Sequence, residues 1–210
     1  MKIYKPPISF PALLAAILLA GCHTGGKKEP AAAQQEPNTG ITDTTAAIRN
    51  LEASFSQHPG IYKGLELANL YAETKNPKAI GLCDALLAKD TARELTDAVF
   101  IKGTYYANTG DTAAAMQLFG ECINRDWKFI EAYIEKGILQ YEQRHFTGAA
   151  KTFELAVKVA NTYPDAYYWL GKCREAMGQK EEALDNYSRA LALDKEFKEA
   201  EEGIKRLSLR

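Results

Sequence analysis

The sequence predicts an all-α solenoid of about four helix pairs, with one extra packing helix at each end. The first observation is a period of 34 residues. Gly103, Gly137 and Gly171 stand in phase; so do Ala115, Ala149 and Ala183, then Phe119, Phe153 and Tyr187, and then Cys122, Ala156 and Ala190. A fixed period of this length marks a supersecondary unit that buries its apolar face only against its neighbours. The second is the distribution of proline: six of the eight prolines precede residue 60. The third is charge. Lys and Arg total 26 against 27 Asp and Glu, which excludes a strongly basic nucleic-acid binder.

The first element is an address. Lys2 and Lys5 precede an uncharged run from Ile8 to Ala20, which is shorter than the ~20 apolar residues that span a bilayer. A basic start, a short apolar run and small residues after it describe a secretory signal peptide. The run ends Leu19-Ala20-Gly21-Cys22, which resembles the bacterial lipobox. The resemblance implies a lipoprotein: residues 1–21 are removed and Cys22 carries the lipid, including palmitate. Two or more acyl chains anchor a protein stably. His23, rather than Asp, follows the cysteine, and in lipoproteins of this kind that favours the outer membrane facing the periplasm. Gly21 to Lys28 approaches the phosphate-binding GxxxxGK[ST] pattern but lacks its final Ser or Thr, and no strand precedes it. Residues 22–43 hold the lipidated cysteine and a tether poor in large apolar residues, a composition that cannot bury a core.

Residues 44–210 form the repeat domain. Helix 44–57, within a half repeat 44–61, packs on the first full pair. The units are then 62–95, 96–129, 130–163 and 164–197, and a capping helix occupies 198–210. The glycine, alanine and aromatic columns resemble the tetratricopeptide repeat (TPR) family, a helix–turn–helix unit that stacks as a right-handed superhelix. The resemblance gives each column its role: small residues let paired helices approach, and the aromatic fills the gap between one repeat and the next. In unit 62–95 the same phase puts Leu65, Gly81, Ala85 and Ala88 in the columns, with Asn69 at the glycine position. Asn76-Pro77 opens its second helix. Gly110 and Gly178 supply the left-handed residue that ends a first helix. Trp127 is expected to plug the space between repeats. Lys195 stands at the usual terminal proline, so the preceding helix is expected to run on toward the cap.

The residues show no catalytic set and call for no cofactor. The histidines, His23, His58 and His145, are scattered, no HExxH occurs, and the cysteines after Cys22 form no CxxC. Cys122 reads as a small buried hydrophobe, and Cys83 is the thiol left open to reaction. The chain is therefore expected to be no enzyme.

Function is expected on the concave face, which the TPR resemblance assigns to the first helix of each pair. The matching positions are Lys63, Glu66, Leu70 and Glu73, then Asp97, Phe100, Thr104 and Ala107. Repeats three and four supply Glu131, Ile134, Ile138 and Tyr141, and Asp165, Tyr168, Lys172 and Glu175, with Trp169 at the edge. Six acids and two bases surround an apolar middle. This implies a membrane-anchored scaffold whose apolar, acidic-rimmed groove holds another envelope protein or a peptide segment of it. Phe100 and Ile134 stand where a carboxylate-gripping TPR would place polar or basic residues, so chaperone-tail binding is not expected. The alternative is a ligand-binding receptor or an accessory subunit of an enzyme.

Overall fold

The computed structural model describes residues 39–91 and 95–209, with side chains from residue 44. The expected signal peptide 1–21, the lipid-attachment Cys22 and the tether as far as residue 38 lie outside the described residues. The described residues form ten α-helices and no strand. They are α1 Thr39–Gln57, α2 Ile61–Glu73, α3 Lys78–Leu87, α4 Thr96–Thr109, α5 Thr112–Arg125, α6 Ile130–Glu142, α7 Phe146–Val159, α8 Pro164–Ala176, α9 Lys180–Leu193 and α10 Lys198–Ser208. α1 begins at Thr39, inside the segment assigned to the tether. α9 ends at Leu193 with Asp194 as its C-cap, so it does not run on through Lys195. None of the described helices is long and apolar enough to cross a membrane.

Turns of two to four residues link α2 to α3, α4 to α5, α6 to α7 and α8 to α9, which makes each pair antiparallel neighbours. Gly110 and Gly178 take φ values of 93° and 77° at these turns; Lys75 and Arg144 take 58° and 61° in the other two. The glycine column works by contact. A Cβ on Gly103 would lie 2.7 Å from Phe119, one on Gly137 2.6 Å from Phe153, and one on Gly171 2.8 Å from Tyr187. All three rings are fully buried. Each glycine thus lets an aromatic ring lie against the backbone of the partner helix.

The first repeat follows a different register from the one its spacing suggested. Gly81, Ala85 and Ala88 are exposed, while Ala79, Cys83 and Leu86 are buried. The buried set has the same i, i+4, i+7 spacing as Ala115, Phe119 and Cys122, so it is the true column, 36 residues back instead of 34. α2 is displaced by one residue. The Asn76 amide donates to the Tyr71 carbonyl (2.7 Å) where the Asp111 amide donates to Tyr106 (2.9 Å), 35 residues on. Ala68, fully buried, takes the place of the glycine, and Asn69 does not. The cause is the longer α3–α4 connection, residues 88–95, against 126–129 between α5 and α6.

Both end helices are tied down in the same way. Near α1, Glu52 accepts from the Tyr71 hydroxyl and from Lys78 Nζ (2.9 Å), and Lys78 and Tyr71 hold its carboxyl below the usual range. At the other end Glu175 accepts from the Tyr187 hydroxyl (2.6 Å) and from Arg206 of α10 through Nε (2.8 Å) and Nη2 (2.7 Å). Ala200, Gly203 and Leu207 of α10 are buried, and its other face is charged, as a capping helix requires.

Candidate functional site

The first helices of the pairs are α2, α4, α6 and α8, with α10 in series, and they carry the positions expected to line a concave groove. The expected open apolar floor is absent from them. Phe100 is 1 % exposed and Ile134 4 %, and Thr104, Ile138, Tyr168 and Trp169 are also buried. A fifth column explains this: Leu95, Phe129, Tyr163 and Phe197 are each the N-cap residue of the following helix. The Phe129 ring lies 5.2 Å from Phe100, and Phe197 lies 5.0 Å from Tyr168. These two rings close over Phe100 and Tyr168 and help to turn both expected anchors into core. The period of 34 among the three aromatics was visible in the sequence, but Trp127, two residues before Phe129, drew the role of plug. Trp127 is 61 % exposed, with Lys128 Nζ 5.3 Å over its ring.

Of the predicted groove residues, the structure gathers Tyr141, Lys172 and Glu175 and leaves Glu66, Leu70 and Glu73 on α2 apart from them. Glu66 and Glu73 are exposed and Leu70 is half-buried. Tyr141, Lys172, Glu175, Ala176 and Arg206 line a depression of about 290 Å³. Lys172 Nζ stands 5.6 Å from the Tyr141 ring. The Tyr141 ring packs edge-on against Trp169 (5.6 Å) and at a tilt against Phe146 (5.2 Å), and burial raises its hydroxyl pKa. Arg206, in the capping helix, was not anticipated; it lies one period of 34 beyond Lys172.

The acid rim also differs from expectation. Arg206, and then Tyr187, hold the Glu175 carboxyl below the ordinary range, and burial only partly opposes them. Glu175 is therefore a paired charge. Asp97 and Asp165 have raised pKa values because burial penalises their charged forms. Glu73 accepts from Asn69 Nδ2 (2.9 Å), while Asn69 Oδ1 is buried without a hydrogen-bond partner, as is Trp169 Nε1.

Among the described residues the thiols offer no nucleophile. Cys83, whose reactivity the sequence left open, is fully buried, as are Cys122 and Cys173, and burial pushes all three up to about 12. A thiol of that pKa is almost wholly protonated at neutral pH. Among the described residues no group of three His, Cys, Asp or Glu side chains is placed to hold a metal ion.

Comparison with known proteins places the fold. Residues 96–126 and 164–197 match models of the tetratricopeptide repeat. Tetratricopeptide repeat protein 14 of Mus musculus is 29 % identical over 167 residues, 76 % of this chain. The chain spans about a fifth of that protein's length (21 %). Among solved structures, the crystal structure of MamA matches with a TM-score of 0.59 at 20 % identity, covering 73 % of this chain and 90 % of that one. MamA from Desulfovibrio magneticus RS-1 gives 0.56 at 18 % identity over 80 % and 85 %. The first TPR of Spaghetti (RPAP3), bound to an HSP90 peptide, gives 0.53 at 24 % identity over 54 % and 90 %.

Proposed function

We propose, for a chain that carries tetratricopeptide repeats and folds as their solenoid, that it is a lipid-anchored scaffold of the bacterial cell envelope. Tetratricopeptide repeats are interaction modules, and the fold supports a protein–protein interaction role. The observation that carries the reading is the depression of Tyr141, Lys172, Glu175, Ala176 and Arg206. Three successive elements of the concave face, α6, α8 and α10, build it, and none of its residues belongs to a catalytic set. The partner is a segment of another envelope protein lying along that face. Leu19-Ala20-Gly21-Cys22 supports anchoring through Cys22, with the outer membrane facing the periplasm as the site.

Two experiments test the reading. Pulldown from detergent-solubilised envelope should lose its specific partner when Tyr141→Ala is combined with Lys172→Ala. Identical capture by both proteins refutes the concave face as the site. Cys22→Ser should release the chain from membranes and abolish palmitate incorporation; a mutant that stays membrane-bound refutes the anchor.

A further inference from the structure

We infer that the depression built by α6, α8 and α10 is a seat for one carboxylate, the acidic side chain of an Asp or Glu in the partner's bound segment. This rests on the scaffold reading and adds the partner's chemistry to it.

The hydrogen-bonding capacity of the lining decides the ligand. Glu175 is the one carboxylate among the five lining residues. Three of its roughly four lone-pair sites are already taken. Its Oε2 accepts from the Tyr187 hydroxyl (2.6 Å) and from Arg206 Nη2 (2.7 Å), and its Oε1 accepts from Arg206 Nε (2.8 Å). The donors are left over. Arg206 commits Nε and Nη2 to that pair, and its Nη1 makes no hydrogen bond among the described residues. No hydrogen bond or salt bridge among the described residues reaches the Lys172 ammonium, which stands 5.6 Å from the Tyr141 ring. The Tyr141 hydroxyl, kept protonated by burial, makes no hydrogen bond there either. A donor-rich lining with its acceptors spent wants a ligand that brings acceptors alone, and an ionised carboxylate is acceptor-only.

Charge points to the same ligand. Lys172 and Arg206, two cations against the one Glu175 anion, leave the lining with one net positive charge. That matches a carboxylate, whereas a phosphomonoester brings about −1.5 to −2 at neutral pH. Lys172 is half-buried and close enough to Glu175 to help keep it ionised, so its ammonium belongs to the depression.

Size and walls favour a side chain over a chain end. The depression holds about 290 Å³, at the small end of the ~300–1,000 Å³ of sites that enclose a small molecule. Its apolar lining is Ala176 and the Tyr141 ring, which is fixed against Trp169 and Phe146. That lining suits the methylenes of an acidic side chain. A chain terminus would bring its last amide N–H as well, and the spent Glu175 offers that donor little.

The test uses the full chain in neutral detergent micelles at about 20 mM salt, where surface charges are least screened. The probes are end-blocked peptides of about eight residues carrying a neutral dye, long enough to cross α6, α8 and α10 when extended. They are neutral except at one central position, which is Glu, Gln or Lys. A fourth keeps the Gln and ends in a free carboxylate. The Glu peptide should bind about tenfold tighter than the Gln peptide, the scale of charge-assisted hydrogen bonds, and the Lys peptide should bind weakest. Lys172→Gln should erase the preference for Glu, and Lys172→Glu should turn it toward Lys. Both variants alter a half-buried side chain with no hydrogen bond to lose, so their circular dichroism should match the parent's. Glu175→Gln should raise the preference for Glu several-fold, because the lining then carries two positive charges and Arg206 regains Nε and Nη2 for the ligand. A lysine that only packs on Tyr141 would move none of these rankings. Equal binding of the Glu and Gln peptides, binding of none, or a preference that survives Lys172→Gln overturns the carboxylate seat. Tightest binding by the fourth peptide overturns its assignment to a side chain. The pulldown above separates the two readings: capture lost in Tyr141→Ala with Lys172→Ala keeps the scaffold reading even when the Glu and Gln peptides bind alike.

Discussion

The register of the first repeat makes opposite predictions at neighbouring positions of α3. Leu86 is 7 % exposed, and its methyl carbons lie 3.1 and 3.2 Å from where a Cβ on Gly64 would stand. Leu86→Ala removes three carbons, about 2.4 kcal/mol at ~0.8 kcal/mol per buried carbon, and incomplete collapse of the cavity brings the loss to about 3 kcal/mol. Gly81, by contrast, has nothing within 4 Å of a built Cβ, so Gly81→Ala should stabilise the helix by about 0.5–1 kcal/mol. Ala85→Glu, on the exposed face, should change stability by less than about 0.5 kcal/mol. Urea unfolding of residues 39–210, followed by helical circular dichroism, reads all three. With a slope of about 2 kcal/mol per molar, Leu86→Ala lowers the midpoint by about 1.5 M. A strict 34-residue phase reverses the outcome: it buries Gly81 and Ala85, so that Gly81→Ala clashes and Ala85→Glu buries a charge. Loss of stability in those two, with little change in Leu86→Ala, refutes the shifted register.

Other outcomes follow from the same packing. Gly103→Ala drives a Cβ to 2.7 Å from a fully buried Phe119 ring and should cost about 1–3 kcal/mol in the same unfolding assay. Phe129→Ala should cost about 3 kcal/mol because it opens the space over Phe100, whereas the exposed Trp127→Ala should stay within about 0.5 kcal/mol; comparable losses would return the plug to Trp127. Glu175→Gln should cost about 1 kcal/mol at neutral pH, discounted because the Arg206 side chain is 41 % exposed. The folded carboxyl titrates below its ordinary range, so its contribution is complete above the unfolded pKa and is lost as pH falls through the folded one. The variant's stability should therefore fall less than the parent's on acidification, and parallel acid limbs would refute the pairing.

The repeat columns at 103–190 were legible because each is a contact that recurs with the chain period: a glycine, and the aromatic that lies against it. Repeat one escaped because register is a property of connections as well as helices. Its α3–α4 segment is longer, so a phase carried back from repeat two lands on the wrong face of α3. Leu67-Ala68 with Tyr71, then Ala79 and Cys83 four residues on, carries the repeat's local spacing and would have located the register without the phase. The site was less legible because exposure of a concave side chain depends on what the next repeat lays over it. Phe100 and Tyr168 look like open anchors in their own helices, and Phe129 and Phe197, from the following junctions, help to bury them.

The same dependence on neighbours decides the electrostatics of the face. Glu175 reads in its own repeat as one acid in a rim of acids. α10 then brings Arg206 to it from one period beyond Lys172 and removes its charge from the rim. A solenoid must close its last apolar surface, and here Ala200, Gly203 and Leu207 do so against the final pair. The helix that performs this closure also pairs Glu175 and leaves Lys172 over the Tyr141 ring beside it. Capping and the charge of the depression are thus consequences of one packing event. A variant that unseats α10, such as Leu207→Ala, should free Glu175, and Glu175→Gln should then no longer flatten the acid limb of unfolding in that background.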